Sequence, residues 1–275
     1  VSLRVGHIAY ANCVPFFHYL REAGFDGSIH PGVPSELNAL LAAGRIDLSP
    51  SSSFEYGRNP HLYGLLPDLS ISSCGPVQSV LLFAPCPLEK LAGVPVSLTG
   101  ESATSINLLR LLCLEFYGFQ VCGMPGDGGS VEDMVNSGGA GLLIGDRALK
   151  AAQKLSAPYV YDLGELWWRH TGLPFVFALW MVHRSAISHN GKELARFYHH
   201  LKTSLQRALS DIDHLALESG ASHWMAPGKL ADYWRAMSYT FTGEHRRGLE
   251  LYYRLAVKHR LLEEIPPLNF IETAF

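Results

Sequence analysis

Short β-prone runs in this chain repeatedly end in turns rich in hydroxyl or amide side chains, and each turn opens into a helical pattern. This strand–turn–helix order constrains the fold more than any other feature. Strands alternating with helices imply α/β layers with mostly parallel sheets. In such sheets ligands bind beyond the carboxyl ends of the strands, where helix amino ends gather. The clearest unit covers residues 94–116. Residues 94–98 read as a strand, the chain breaks at Thr99-Gly100, and apolar residues then recur at Ile106, Leu109, Leu112 and Phe116, the spacing of one helix face. Between strand and helix stand Thr99, Ser102, Thr104 and Ser105. One hydroxyl suffices to cap a helix, and this turn carries four. Free backbone N–H groups and hydroxyls at the positive end of a helix suit a carboxylate or phosphate.

The same order appears at the start. Residues 3–8 alternate as a strand, residues 9–15 form a loop with Asn12 at its tip, and Pro15 opens a helix over 16–23. A strand at 28–32 precedes a helix over 33–44, with Ser35 as its expected cap and Gly44 as its stop. A strand at 46–49 leads into the serine run Ser51, Ser52 and Ser53. Residues 77–84 read as a strong strand with Ser79 near its start. A strand at 119–121 leads into a glycine-rich loop at 123–129 that lacks the G-K-[ST] ending of a phosphate loop. Residues 140–146 read as a buried strand ending in Gly145-Asp146, with Asp146 placed to cap the helix from Arg147. Strands at 159–164 and 174–182 flank a short helix at 165–170, and from Gly191 the pattern is helical only.

Two α/β lobes, one inserted in the other, need two crossings of the chain. The most apolar strands, 77–84 and 174–182, are the natural crossings. The expectation is a bilobal solute-binding plan with a cleft between lobes. Residues 1–84 and 183–275 make lobe 1, and residues 85–182 make the inserted lobe 2. The helical tail then packs on the first lobe.

Composition removes several classes of function. The net charge is -3 with no basic stripe, so nucleic-acid binding has no electrostatic support. The five cysteines form no C-x-x-C, and the 13 histidines show no H-E-x-x-H. A disulfide framework and a metal site are both excluded as expectations, and a reducing compartment is favoured. The longest apolar run, 173–182, contains Pro174 and is about half of a membrane span. The chain opens on a strand pattern with no charged and apolar leader, which points to a cytoplasmic protein.

Several segments carry a family resemblance: residues 5–16 (VGHIAYANCVPF), 34–38 (PSELN), 46–52 (IDLSPSS), 75–82 (GPVQSVLL), 143–146 (LIGD) and 171–178 (TGLPFVFA). Together, in this order, they resemble the chorismate dehydratases of the futalosine route to menaquinone. The resemblance implies a periplasmic-binding-protein-like (type II solute-binding) fold of two α/β lobes. It implies a lyase that removes water from chorismate, a dicarboxylate, to give 3-[(1-carboxyvinyl)oxy]benzoate. No metal or organic cofactor is implied, and no nucleic-acid or membrane partner. It places Asn12 and Ser79 at the reacting centre. Thr99, Ser102, Thr104, Ser105, Gly145 and Asp146 then serve substrate binding in one lobe, and Ser51 and Ser52 in the other. A bare serine is a poor base without a partner, so the enolpyruvyl carboxylate of the substrate is expected to take the ring proton. Two other readings stay open. One is the related pathway enzyme that forms 1,4-dihydroxy-6-naphthoate, which needs a histidine base. The other is a solute-binding receptor without chemistry, since fold alone does not define function.

Overall fold

The alternating run Arg4-Val5-Gly6-His7-Ile8 forms a strand because its buried positions can pack on both faces of a sheet. In a computed structural model describing residues 2–125 and 130–271, this strand, β1 (Arg4–Ile8), is followed by α1 (Val14–Phe17), β2 (Ser28–Gly32), α2 (Pro34–Ala42), β3 (Leu48–Ser52), α3 (Ser53–Arg58), β4 (Tyr63–Ser73) and β5 (Val80–Ala84). Then come β6 (Pro95–Leu98), α4 (Ala103–Phe116), β7 (Cys122–Pro125), α5 (Val131–Asn136), β8 (Ala140–Ile144), α6 (Gly145–Lys154), β9 (Tyr159–Asp162), α7 (Leu163–Thr171) and β10 (Phe175–His183). The chain continues with α8 (Arg184–His189), α9 (Gly191–Ser210), α10 (Ile212–Glu218), α11 (Pro227–Ala236), β11 (Met237–Thr240) and α12 (Gly243–Lys258). Residues 126–129 of the glycine-rich loop lie outside the described residues.

The chain divides into two compact units. The first holds the chain up to Ile71, Ala178–Phe241, and the chain from Pro266 on. Its sheet has the order β11-β4-β10-β3-β1-β2. Here β1 runs parallel to β2, with Ile8 beside Gly32, and parallel to β3, with Val5 beside Leu48. β10 runs antiparallel to β3, pairing Leu179 with Ser51. One face of this sheet carries an aromatic layer. His7 stacks on Phe17, with ring centroids 4.0 Å apart, and Trp180 lies against Phe16, Phe17 and Phe197.

The second unit holds Ser72–Phe177 and Thr242–Ile265. Its sheet has the order β7-β6-β8-β5-β9. β6 is parallel to β7 and β8, while β5 is antiparallel to β8 and β9. Leu81, Phe83 and Leu143 pack with Val131, Val135, Ala148 and Ala151 in one apolar cluster. Elsewhere in the unit Trp167, Phe175 and Tyr252 meet edge to face, with centroids 5.0–6.2 Å apart.

Several elements depart from the sequence reading. Both sheets are mixed rather than mostly parallel, because β10 and β5 enter antiparallel. The helix expected over 16–23 is α-helical only to Phe17 and then becomes turns. Ser35 does not cap α2. The cap position is Val33, whose N–H reaches the Glu36 carboxylate. Ser51 and Ser52 lie inside β3, not after it. The tail contains a strand: Met237 and Tyr239 are buried while Ser238 and Thr240 are not, and Phe241 N–H bonds Asp68 O. Four residues are too few for that alternation to stand out from the helix before it. The tail also splits, and α12 belongs to the second unit, not the first. Its cause is local. Gly248 faces the Pro174 carbonyl so closely that a Cβ there would collide with the oxygen.

Gly248→Ala should therefore destabilise the protein by about 1–3 kcal/mol, the usual effect of forcing a carbon into a packed contact. Urea unfolding checks this, and an unchanged midpoint would show that the α12 contact is not tight.

Candidate active site

In the first unit, β1 runs into Ala9, whose N–H bonds Gly32 O at 3.1 Å, and then into a tight turn at Ala11–Cys13. Two side chains from the far end of the sequence pin this segment. Trp234 Nε1 donates to Ala11 O at 2.7 Å, and Ser204 Oγ donates to Phe16 O at 2.8 Å. Asn12 lies between the two fixed carbonyls. Its Oδ1 is buried and has no partner within the protein. Ser51 is fully buried in β3, and its Oγ is likewise without a partner. An unmet buried acceptor or hydroxyl costs about 1–3 kcal/mol, so such groups suit a polar ligand. Ser52 differs, because its Oγ caps α3 by accepting from Glu55 N–H at 3.3 Å.

The residue reading missed Asn38. It sits in α2 with only 9% exposure, and its Oδ1 also lacks a partner. A buried Asn inside a helix is disfavoured unless its amide is used. The signal was present in the P-S-E-L-N run, where Asn is the one amide within an otherwise good helix pattern.

In the second unit, the predicted residues gather at one end of the three central strands, β6, β8 and β5. Ser79 precedes β5 rather than lying within it, and the strand begins at Val80, paired with Ile144. Ser79 Oγ bonds Val77 O at 3.3 Å, and its carbonyl accepts from Gly145 N–H at 2.8 Å. Gly145 is the first residue of α6, and its φ of 57° is one that glycine adopts without strain. The cap position of α6 is Ile144, which supplies no side-chain bond. Asp146 lies in the first turn, so it is not the cap expected from sequence. On the neighbouring strand, β6 ends at Leu98 and the hydroxyl-rich turn begins. Ser102 caps α4, accepting from Ser105 N–H at 3.2 Å, and its hydroxyl pairs with Ser105 Oγ at 3.1 Å. Thr99 Oγ1 accepts from Glu101 N–H at 3.3 Å. Thr99, Ser102, Thr104 and Ser105 are all buried.

Arg147 links the two turns. It forms a bidentate pair with Glu132, at 2.6 and 3.0 Å, and a longer contact with Glu101 at 3.4 Å. The guanidinium holds the Glu132 carboxyl below its usual range. This cation is thereby committed to the frame, which leaves neutral donors to meet an anion at the turn. Among the described residues no three His, Cys, Asp or Glu side chains are grouped to hold a metal ion. The histidine nearest Asn12 in sequence is His7. Burial pushes its imidazole down to about 4, so it is a feeble base.

Each unit therefore carries polar groups where its strands meet turns and helices, the arrangement of the periplasmic binding proteins. Solved structures agree on that fold. A protein from Archaeoglobus fulgidus aligns with a TM-score of 0.75 and 18% identity over 95% of this chain and 98% of that one. The periplasmic aliphatic sulphonate binding protein of Escherichia coli aligns with a TM-score of 0.65 and 16% identity over 98% and 92%. A family model described as menaquinone biosynthesis matches residues 3–258, and the chain belongs to that family. Two relatives are named chorismate dehydratase. That of Thermus thermophilus is 41% identical over 196 residues, 64% of this chain and 68% of the relative. That of Campylobacter jejuni is 34% identical over 179 residues, 63% of this chain and 64% of the relative.

The half-buried His7 makes stability pH-dependent. Its pKa is about 4 in the fold against 6.5 for a free imidazole. Below pH 6.5 the unfolded chain binds a proton that the fold refuses, so stability is lost as pH falls toward 4. Between pH 7 and 4.5 this group should remove about 2–3 kcal/mol. Comparing His7→Phe with the wild type by urea unfolding at both values checks this. Equal losses in the two proteins would contradict it.

Proposed function

We propose that this protein converts chorismate to 3-[(1-carboxyvinyl)oxy]benzoate and water in menaquinone biosynthesis. The observation that carries the reading is the pair of buried, unpartnered groups, Asn12 Oδ1 and Ser51 Oγ, in a chain 41% identical to a chorismate dehydratase. The substrate supplies the driving force, because losing the ring hydroxyl and the hydrogen on the adjacent ether-bearing carbon makes the ring aromatic. The C–H electron pair becomes ring π density, and the C–O pair departs with the hydroxyl. The proton that leaves carbon completes the water. The protein needs to hold two carboxylates and fix the ring so that the two bonds break together. Such positioning is worth several kcal/mol of barrier, on the order of 10²-fold in rate for a displacement of about 1 Å.

Asn12 presents its amide to the ring hydroxyl and orients the C–O bond. Ser79 bonds the substrate at the reacting centre. The enolpyruvyl carboxylate takes the ring proton, because the ether link of the substrate itself holds it beside the reacting carbon. Thr99, Ser102, Thr104 and Ser105, with the Gly145 end of α6, hold a carboxylate, and Asp146 orients donors there. Ser51 and Ser52 also bind substrate. Cys13, Cys74, Cys86, Cys113 and Cys122 are all free thiols, which suits work in the reducing cytoplasm.

Asn12→Ala and Ser79→Ala should each lower kcat on the order of 10²-fold or more, as loss of a positioning contact does, with stability little changed. The decay of the chorismate diene absorbance measures this. Near-normal turnover in either variant would overturn its assignment. Tight binding of chorismate by the wild type with no turnover would make the protein a receptor instead.

A further inference from the structure

One half-buried carboxylate takes no part in the chemistry above, yet it bonds the turn just before Ser79. Asp162 is the last residue of β9 and pairs with Leu81 of β5. Its Oδ1 accepts from Gly164 N–H at 2.9 Å and Glu165 N–H at 3.1 Å, and so caps α7. The same oxygen accepts from Val77 N–H at 3.0 Å, and Oδ2 accepts from Gln78 N–H at 2.6 Å. A cap needs only the first pair. The second pair reaches more than eighty residues back along the chain, to the two residues just before Ser79.

Gln78 needs such a clamp. Its φ is 60°, in the left-handed region that a residue with a Cβ rarely adopts. Its side chain is exposed, so packing does not impose the conformation. The approach of the two segments is also built in at Gly164. A Cβ there would lie 2.7 Å from both Gly75 O and Ser73 Oγ. Gly164 thus lets the start of α7 come against residues 73–77, within reach of the carboxylate. Burial pushes the Asp162 pKa up, while the four N–H groups hold it down. Beyond the turn, Ser79 O is fixed by Gly145 N–H.

We propose that Asp162 is a positioning residue, which clamps the left-handed turn at Gln78 and thereby sets the direction of Ser79. The catalytic part of this statement rests on the role given to Ser79 above, and the clamp itself does not. The bland alternative is that Asp162 only caps α7.

Asp162→Asn separates the two. The amide keeps one oxygen to accept from Val77, Gly164 and Glu165, and it turns an N–H group toward Gln78 N–H. Amide hydrogen exchange by NMR should show Gln78 exchanging about tenfold faster or more, as expected for losing a bond to a charged acceptor. Gly164 and Glu165 should stay protected. With chorismate, kcat should fall by about 10- to 100-fold, the scale of a small misplacement, and by more than KM rises. Unchanged exchange at Gln78 would overturn the clamp. Faster exchange at Gln78 with unchanged kcat would overturn its role in aiming Ser79. Loss of protection at Gly164 and Glu165 alone would leave Asp162 a cap and overturn the proposal. If the wild type does not turn over chorismate, the dehydratase reading fails, and the exchange measurement still decides the clamp.

Discussion

The hydrogen bond from Trp234 Nε1 to Ala11 O, 2.7 Å long and buried, sets the character of this protein. A loop at the end of a strand is the most mobile place to put a functional side chain. Here the loop's carbonyls are taken by side chains from the helical C-terminal region, Trp234 and Ser204. With the backbone on both sides of Asn12 satisfied by the protein, its buried Oδ1 is left for something else. The helices after β10 are thus part of the site's frame as well as of the core. Their sequences look generic because the frame asks of them only one indole N–H and one hydroxyl at the right turn.

The second unit solves the same problem with charge. Asp162 and Arg147 each hold a turn by bonds to groups distant in sequence. Asp162 and Arg147 spend their bonds on backbone amides and on other side chains, while Ser79, Thr99, Ser102 and Ser105 set hydroxyls at the strand ends. That division fits a reaction in which the substrate brings both its anionic groups and its driving force. Neutral donors can hold carboxylates without protonating them, and they do not perturb a carboxylate that has to accept a proton itself.

Much of this was legible in the residues. The periods of two and 3.6 located β1, β2, β6 and β8 and the helices α2, α4 and α9, and the hydroxyl-rich turns marked where strands end. The family resemblance supplied the reaction, and it is the source of the roles proposed for Asn12 and Ser79. The rest was hidden for physical reasons. Residues 77–84 read as one continuous strand, so nothing in the pattern reveals that a left-handed residue stands within it at Gln78. β11 is shorter than the window that periodicity needs. The place of α12 involves contacts far apart in sequence, such as Gly248 against a carbonyl seventy-four residues earlier and Tyr252 against Trp167, which have no local signature. Asn38 was in view as part of a motif, but only burial shows that its amide is unmet. Asp146 looked like a cap, and the helix begins one residue before it.

The central claim is that neutral, pinned donors make this chain a catalyst rather than a receptor. Proton NMR of the purified protein with chorismate tests it most directly. The diene signals should give way to those of a 3-substituted benzoate that keeps its enolpyruvyl methylene, far faster than chorismate decays alone. Chorismate that binds and persists, or that yields only the products of its spontaneous decay at the protein-free rate, would contradict it.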